Sequence, residues 1–165
     1  MNTIVAVDRL WGIGKGDELL FHIPEDMKFF RSVTSGKVVI MGRKTLESFP
    51  NKAPLKNRVN IVITRDPDYK VEGAIVVHSI DEAVETARGL EDYTENDIFV
   101  IGGDSIYGQM LPLVDTAYVT RIEATREADA FFPDLSEDED WELDSRSEMK
   151  EYEGIEFYFT TYRRK

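Results

Sequence analysis

One segment of this chain reads Ile98-Phe99-Val100-Ile101-Gly102-Gly103-Asp104-Ser105-Ile106-Tyr107, so an apolar run ends in two glycines before a helical pattern begins. The apolar run predicts a strand buried on both faces. A strand followed by glycines and a helix start aims backbone N–H groups at an anion, although paired glycines also occur for packing alone. Asp104 would repel a bound pyrophosphate, and its alternative role is to cap the helix.

The same succession of strand and helix continues on both sides of this segment. Apolar runs rich in β-branched residues predict strands, and the segments between them predict helices. Ser79, with Glu82 three residues later, indicates a capping box at one helix start. The alternation predicts an α/β sheet with right-handed crossovers. The predicted strands are Ile4–Val7, Lys37–Met41, Val59–Thr64, Ala74–Val77, Ile98–Ile101 and Ala117–Ile122, and the helices are Pro24–Val33, Arg43–Phe49, Ile80–Arg88 and Ser105–Leu111.

The C-terminal part has a different pattern. Trp141–Met149 and Ile155–Arg163 predict two long strands without a helix between them, joined by a hairpin turn over Lys150 to Gly154. The whole chain is therefore expected to form a mixed, mostly parallel sheet of about eight strands flanked by about four helices, with an antiparallel C-terminal hairpin. A length of 165 residues predicts a single domain over residues 1–165 with a substantial core.

Charge and composition exclude several classes of function. The net charge of −12 argues against a nucleic-acid-binding surface, and the chain has no cysteine for disulfide or thiol chemistry. No apolar run is long enough to span a bilayer, and the N-terminal residues lack the pattern of a signal peptide, so a cytoplasmic location is expected. Residues 28–70 nevertheless carry ten basic and three acidic residues. They form either a landing surface for an anionic small molecule or a solvated basic patch.

An acid stands in an apolar helix start at Leu20-Phe21-His22-Ile23-Pro24-Glu25-Asp26-Met27-Lys28-Phe29-Phe30-Arg31. Pro24 suits the first position of a helix, because its missing N–H would be unpaired there. Asp26, Met27 and Phe30 have the spacing of one helix face. A carboxylate buried on such a face requires a partner, such as a ligand with forked N–H donors. The alternative is an exposed first-turn acid that only favours the helix dipole.

A second candidate site lies at Gly42-Arg43-Lys44-Thr45, where a strand ends and cations open a helix. Cations there oppose the helix dipole, and a bound phosphate would resolve the conflict. Thr64-Arg65 ends a neighbouring strand, and parallel strands end at one edge of a sheet. The alternative is again a solvated basic patch.

Other motifs are weaker. Gly12-Ile13-Gly14-Lys15-Gly16-Asp17 lacks the G-x-G-x-x-G spacing of a dinucleotide fingerprint, and it predicts a long mobile loop or an ordinary glycine turn. His22 and His78 have no companions at metal-ligand spacing, and no G-x-S-x-G elbow is present, so no metal site is predicted.

Taken together, these segments resemble the dihydrofolate reductase family over essentially the full chain. The matching pieces are Gly12-Ile13-Gly14, His22-Ile23-Pro24-Glu25-Asp26-Met27, Val39-Ile40-Met41-Gly42-Arg43-Lys44-Thr45-Leu46-Glu47-Ser48, Arg58-Val59-Asn60-Ile61-Val62, Val100-Ile101-Gly102-Gly103 through Tyr107, and Phe131-Phe132-Pro133-Asp134.

The resemblance implies reduction of 7,8-dihydrofolate to 5,6,7,8-tetrahydrofolate by NADPH, with hydride to C6 and a proton to N5 of the pterin. Asp26 would hold the pterin through its 2-amino and N3 groups and promote protonation, with Phe21 also assigned to the catalytic site. Thr120 would support Asp26, and Arg58 would pair with the α-carboxylate of the glutamate tail. The remaining implied substrate-binding residues are Ile4, Met27, Phe30, Arg31, Phe49 and Leu55.

For the cofactor, the resemblance implies a nicotinamide end, a phosphate-binding set and a cis peptide within the glycine pair. It also implies a monomer. The nicotinamide end comprises Ala6, Ile13, Gly102, Gly103 and Tyr107; the phosphates, including the 2′-phosphate, fall to Arg43, Lys44, Thr45, Thr64 and Arg65; further cofactor contacts are Gly14, Leu19, Gly42, His78, Asp104, Ser105 and Ile106.

Three departures from the family pattern are visible. Leu20-Phe21 replaces the usual Pro-Trp, Asp104 replaces a small residue, and Ala128 replaces a glycine. We expect them to tune rate and loop motion without abolishing activity. Two competing hypotheses remain: a reductase of another heterocycle, such as the ribosylamino-pyrimidine of riboflavin synthesis, and a non-catalytic ligand-binding module.

Overall fold

The structure is a computed structural model that describes residues 1–165, and it contains a nine-stranded sheet, a small three-stranded sheet and four α-helices. No helix has the length and apolar character required to cross a membrane. The strands are β1 Asn2–Val7, β2 Gly12–Lys15, β3 Glu18–Leu19, β4 Val38–Gly42, β5 Val59–Ile63, β6 Ala74–Val77, β7 Ile98–Val100, β8 Thr116–Ile122, β9 Ala130–Phe131, β10 Trp141–Arg146, β11 Lys150–Tyr152 and β12 Ile155–Arg164; the helices are α1 Pro24–Thr34, α2 Arg43–Glu47, α3 Ile80–Arg88 and α4 Asp104–Met110.

The main sheet confirms the predicted mixed architecture. Its strand order is β10-β12-β8-β1-β7-β4-β5-β6, with β11 also paired to β12. Neighbouring strands in the run β8-β1-β7-β4-β5-β6 are parallel. Strand β12 pairs antiparallel with β8, β10 and β11. The ends of β7, β4, β5 and β6 therefore lie side by side at one edge, as the sequence predicts.

Side chains alternate between the two faces of the central strands. In β4, Val38 and Ile40 belong to a large core cluster, whereas Val39 and Met41 belong to a smaller one. The large cluster includes residues of α3 and α4, and the smaller one is covered by residues of α1 and α2. Burial on both faces explains why these strands read as continuous apolar runs.

The predicted C-terminal hairpin turn is wrong in extent. Lys150–Tyr152 pairs with β12, and only Glu153 and Gly154, both with positive φ, make the turn. Two positive φ values are typical of the two-residue turns that match strand twist. Strand β10 also ends earlier than predicted, at Arg146 instead of Met149, because the Ser147 hydroxyl accepts a hydrogen bond from the Phe159 N–H.

The glycine-rich segment after β1 is not the long loop that its sequence predicts. It forms β2, which pairs antiparallel with β3 and with β9. A Cβ at Gly14 would lie 2.7 Å from the Glu18 carbonyl oxygen, so this close pairing requires glycine. Pairing with β9 joins this segment to residues more than a hundred positions away.

The helix starts follow the sequence with two corrections. The Ser79 hydroxyl accepts from the Glu82 N–H, but the Glu82 carboxylate accepts from His78 instead of completing a capping box. Asp104 does not cap α4, because Gly103 occupies the capping position and the Asp104 carboxylate accepts from the Ser105 N–H at 2.9 Å. Helices α2 and α4 end earlier than predicted, at Glu47 and Met110 instead of Phe49 and Leu111. Each is followed by a 3-10 turn, and these turns contain Pro50 and Pro112.

Candidate active site

Asp26 lies in the first turn of α1, next to the central strand β8. The hydroxyl of Thr120 donates a hydrogen bond of 2.6 Å to Asp26 Oδ1. Burial raises the pKa of Asp26, and the hydrogen bond from Thr120 lowers it by less. The alternative of an exposed first-turn acid is therefore wrong, and Asp26 holds a proton more readily than an ordinary aspartate.

Tyr107 connects α4 to the same region. Its ring is buried, and its hydroxyl donates to the Ile4 carbonyl oxygen at 2.8 Å. Burial, and secondarily the negative charge of Asp26, raises the pKa of Tyr107. The phenol is therefore neutral, and it fixes the end of α4 nearest the glycine pair against β1.

An apolar surface borders Asp26 on the side of α1. Ile4 belongs to the smaller core cluster, and Phe30, Phe49 and Leu55 pack against it. Met27 does not join them, because its side chain is 46% exposed at the start of α1. The predicted apolar substrate residues thus divide into four that belong to or pack against this cluster and one exposed member, Met27.

Two arginines lie at the far end of this surface. Arg58 donates from Nη1 to the Thr34 hydroxyl at 3.1 Å and from Nε to the Lys56 carbonyl at 2.9 Å. Partial burial, and then the charge of Arg31, lowers the pKa of Arg58. The guanidinium is held in place, and the uncompensated charges of Arg31 and Arg58 favour an anion.

The sheet edge brings together the predicted cofactor residues that follow β7, β4, β5 and β6. The Gly42 N–H donates to the Gly102 carbonyl at 2.8 Å, and His78 Nδ1 lies 3.0 Å from the Thr64 carbonyl oxygen. Arg65 is exposed immediately after Thr64. These contacts place residues from all four strand ends at one edge.

The start of α2 has the chemistry of a phosphate site. Gly42 supplies no side-chain cap, the first turn contains no acid, and Arg43 and Lys44 are its first two residues. Arg43 lies 3.7 Å from the Glu47 carboxylate and 5.8 Å from the centre of the Tyr69 ring. The donors fit a cofactor that carries phosphates, because free N–H groups and cations dominate here.

The glycine pair after β7 has two different environments, and its peptide bond is cis. Gly102 has φ +121°, and a Cβ there would lie 3.2 Å from the Tyr107 ring. A Cβ at Gly103 would make only an ordinary contact with Thr45 at 3.6 Å. Near them, a Cβ at Gly42 would lie 3.2 Å from Ile106, so the edge is closely packed.

The segment that follows β1 borders the site from the opposite side. Phe21 is buried with Leu20 and Ile23, and Ala6 packs against this group. Ile13 is buried in the large core cluster, whereas Leu19 is 60% exposed. The predicted nicotinamide residues therefore come from two packing groups.

Contacts between this segment and the loop after β8 were missed by the sequence reasoning. The Asp129 carboxylate accepts a hydrogen bond from the Gly16 N–H at 3.0 Å. Ala128 lies beside Gly12, and a Cβ added to Gly12 would lie 2.9 Å from the Ala128 methyl group. Asp8 is buried and accepts from the Arg126 N–H. The only signal in the sequence was that Ala128 departs from the family pattern.

Replacing Thr120 by valine tests the origin of the Asp26 pKa. We expect the pKa of Asp26 to rise further, because the carboxylate loses a donor that favours its charged form. A carbon-13 titration of the Asp26 carboxyl group measures this directly. Thr160→Val is the matched control, since the Thr160 hydroxyl donates to Val119 instead; an equal shift in both variants would contradict the assignment.

Comparisons with known proteins agree with this geometry. A family model described as dihydrofolate reductase matches residues 1–164. A dihydrofolate reductase of Neisseria gonorrhoeae is 41% identical over 151 residues, which cover 91% of this chain and 89% of that protein. One of Bacillus subtilis (strain 168) is 37% identical over 167 residues, which cover 100% of this chain and 95% of that protein.

A solved structure gives the same result. Dihydrofolate reductase from Enterococcus faecalis, complexed with NADP(H) and RAB-propyl, aligns with a TM-score of 0.86 at 34% identity. The alignment covers 99% of this chain and 95% of that one. The expected fold is confirmed, and the chain belongs to the dihydrofolate reductase family.

Proposed function

We propose that this chain reduces 7,8-dihydrofolate to 5,6,7,8-tetrahydrofolate with NADPH and so supplies one-carbon and thymidylate metabolism. The observation that carries the proposal is the partly buried Asp26 carboxyl group, with its raised pKa and its hydrogen bond to Thr120, beside an apolar surface. Such a group can bind a forked pair of N–H donors, and it holds a proton more readily than an ordinary aspartate.

Asp26 has two tasks in this proposal. Its carboxylate binds the 2-amino and N3 groups of the pterin, and its raised pKa promotes protonation at N5. Thr120 orients the carboxylate by its hydrogen bond to Oδ1. Phe21 helps to exclude water from this end of the site, since its ring is 9% exposed.

The rest of the substrate lies along the surface that leads away from Asp26. Phe30, Phe49 and Leu55 contact its apolar middle part, with Ile4 beneath and Met27 at the rim. The two cations at the far end, Arg58 and Arg31, bind the carboxylates of its glutamate tail. A ribosylamino-pyrimidine has no such tail, which disfavours the alternative reductase.

The sheet edge holds NADPH. Bound there, it supplies the hydride that C6 of the pterin accepts. Arg43, Lys44, Thr45, Thr64 and Arg65 bind the phosphates, with Arg43 nearest the 2′-phosphate, and the adjoining cofactor contacts are Gly42, His78, Ser105 and Ile106. Ala6, Ile13, Gly102, Gly103 and Tyr107 border the nicotinamide end, and Gly14 and Leu19 are further cofactor contacts. Asp104 also adjoins the cofactor, with its carboxylate turned to the N–H of Ser105.

The proposal includes one domain over residues 1–165 that acts as a monomer in the cytoplasm and binds no nucleic acid. The continuous main sheet, which runs from β1 to β12, supports the single domain. The net charge of −12 supports the absence of nucleic-acid binding. The absence of cysteine is compatible with a reducing compartment.

The proposed function is tested by loss of reduced-nicotinamide absorbance with dihydrofolate, run in parallel with NADPH and NADH. Rapid turnover that prefers NADPH is the expected result. NADPH binding without turnover of dihydrofolate would contradict the proposal, and it would favour another heterocycle or a non-catalytic module.

Arg43→Ala tests the placement of the 2′-phosphate. We expect the KM for NADPH to rise about 10–100-fold, because a charge-assisted hydrogen bond contributes about 1.5–3 kcal/mol. The KM for NADH, which lacks this phosphate, should change little. Arg88→Ala is the control, since Arg88 is half-exposed on α3 and pairs with Glu95. Equal losses with both cofactors would place the 2′-phosphate elsewhere.

A further inference from the structure

The guanidinium of Arg126 contacts the segment that replaces the usual Pro-Trp of the family. Its Cζ lies 4.1 Å from the centre of the Phe21 ring, and its Nη1 donates to the Leu20 carbonyl oxygen. Leu20 and Phe21 are each 9% exposed, although Arg126 itself is exposed at the surface. One exposed cation thus contacts both the ring and the backbone of a buried dipeptide.

The backbone of Arg126 is itself fixed. Its N–H donates to Asp8 Oδ2 at 3.2 Å, and Asp8 is 1% exposed. The other oxygen of Asp8 accepts from the N–H groups of Leu10 and Gly12 at 2.9 and 2.8 Å. Asp8 therefore holds the loop after β1 and the loop after β8 at a defined distance, from which the Arg126 side chain reaches Leu20.

The charge of Arg126 is available for these contacts. The side chain takes part in none of the ion pairs of the structure. The side chain of Phe21 has no N–H, so its ring can be held only by packing and by a cation on its face.

We propose that Arg126 is a positioning residue, which holds Leu20 and Phe21 against the site and so sets the wall beside the reacting ring. The inference rests on the proposed function, because the site that Phe21 borders is the proposed pterin and nicotinamide site. Loss of the guanidinium would leave the buried Phe21 ring free to shift away from Ala6, which packs against the same cluster. Small displacements of such a wall reduce the fraction of reactive alignments.

The test compares Arg126→Leu, Arg126→Lys and Arg9→Leu with the natural chain. Arg9 is the matched control: it lies in the loop after β1 and pairs with Glu123 in the loop after β8, whereas the hydrogen bond to Leu20 and the cation–π contact with Phe21 belong to Arg126. The readouts are single-turnover hydride transfer at saturating NADPH, the KM for dihydrofolate, Tm, and amide hydrogen exchange at residues 20–23.

We expect Arg126→Leu to slow hydride transfer by about tenfold, while the KM for dihydrofolate stays within about twofold, since the cation–π contact and the charged hydrogen bond are both lost. Exchange at residues 20–23 should accelerate. Arg126→Lys should recover part of the rate, because lysine keeps the charge but not the planar fork. Arg9→Leu should leave the rate and the exchange unchanged.

A double mutant separates positioning from general destabilisation. If Arg126 acts through the ring, Arg126→Leu should cost little further in a Phe21→Leu background. Losses that multiply, a rate change that matches Arg9→Leu, or unchanged exchange at residues 20–23 would each overturn the proposal. The exchange readout needs no turnover, so failure of the natural chain to reduce dihydrofolate would contradict the proposed function separately.

Discussion

Asp26→Asn is expected to lower the rate of dihydrofolate reduction near neutral pH by about 10²–10⁴-fold, the usual contribution of a positioned acid or base. An asparagine can still accept the hydrogen bond from Thr120, so the local geometry survives. It cannot hold or release the proton that N5 requires. The measurement is steady-state turnover with NADPH, and the loss should be smaller at low pH, where solvent protonates the substrate.

Glu25→Gln is the control for this prediction. Glu25 precedes Asp26 in the same helical turn, is exposed, and lies 3.3 Å from the Lys150 ammonium. Its replacement should change turnover by less than about twofold, because an exposed ion pair contributes little. Near-natural turnover in Asp26→Asn, or an equal loss in both variants, would remove Asp26 from the proton step.

Asp26→Asn should also raise the stability of the folded chain at neutral pH. Burial raises the folded-state pKa of Asp26 above its ordinary value of 3.8, so the folded state binds the proton more tightly than the unfolded state. Stability is therefore lost as the pH rises from the unfolded pKa through the folded pKa. Asp26→Asn escapes this loss, and its Tm should exceed that of the natural chain at neutral pH but not below the unfolded pKa. An unchanged Tm difference across pH would contradict the raised pKa.

Gly102→Ala is expected to have the second large effect, lowering stability by about 2–5 kcal/mol from positive-φ strain and overpacking together. At φ +121° the new Cβ would lie 3.2 Å from the Tyr107 ring. That ring cannot yield easily, since it is buried and its hydroxyl is bonded to the Ile4 carbonyl. The expected fall in Tm is roughly 5–15 °C for a chain of this size.

NADPH binding should weaken with the same substitution, because the Gly102 carbonyl is held by the Gly42 N–H at the cofactor edge. Gly108→Ala is the control, since Gly108 lies within α4 and a Cβ there meets nothing within 4 Å. It should be neutral or slightly stabilising, because alanine favours helices. A Tm for Gly102→Ala equal to that of Gly108→Ala would refute this account of the glycine pair.

The sequence was most informative where local pattern and burial coincide. The neighbouring strands β7, β4 and β5 were predicted because their residues are buried on both faces, and the edge that they share with β6 followed from parallel pairing. The position of Asp26 among the apolar residues of α1 left burial and exposure as alternatives, and only the fold shows that its carboxyl group is partly buried. Met27 and Phe30 have the spacing of one helix face but differ in exposure, because helical spacing alone does not say how far the sheet extends under the first turn.

The sequence was least informative where distant segments meet. β2 and β9 carry too few β-branched residues to predict strands, and they pair only because the loop after β8 returns to the loop after β1. The hydrogen bond that Arg58 donates to Thr34 and the contact of Arg126 with Phe21 have no sequence signature either. Such contacts depend on the approach of separate elements and become visible only in the folded chain.

We propose that the Asp26 carboxyl group promotes the protonation of N5 that accompanies hydride transfer. The most direct test of this proposal is the pH dependence of single-turnover hydride transfer from NADPH to dihydrofolate. We expect the rate in the natural chain to fall with rising pH along one ionisation. In Thr120→Val this fall should occur at a higher pH, and in Asp26→Asn this ionisation should be absent from the profile. A profile that is the same in all three proteins would contradict the role of Asp26 in the proton step.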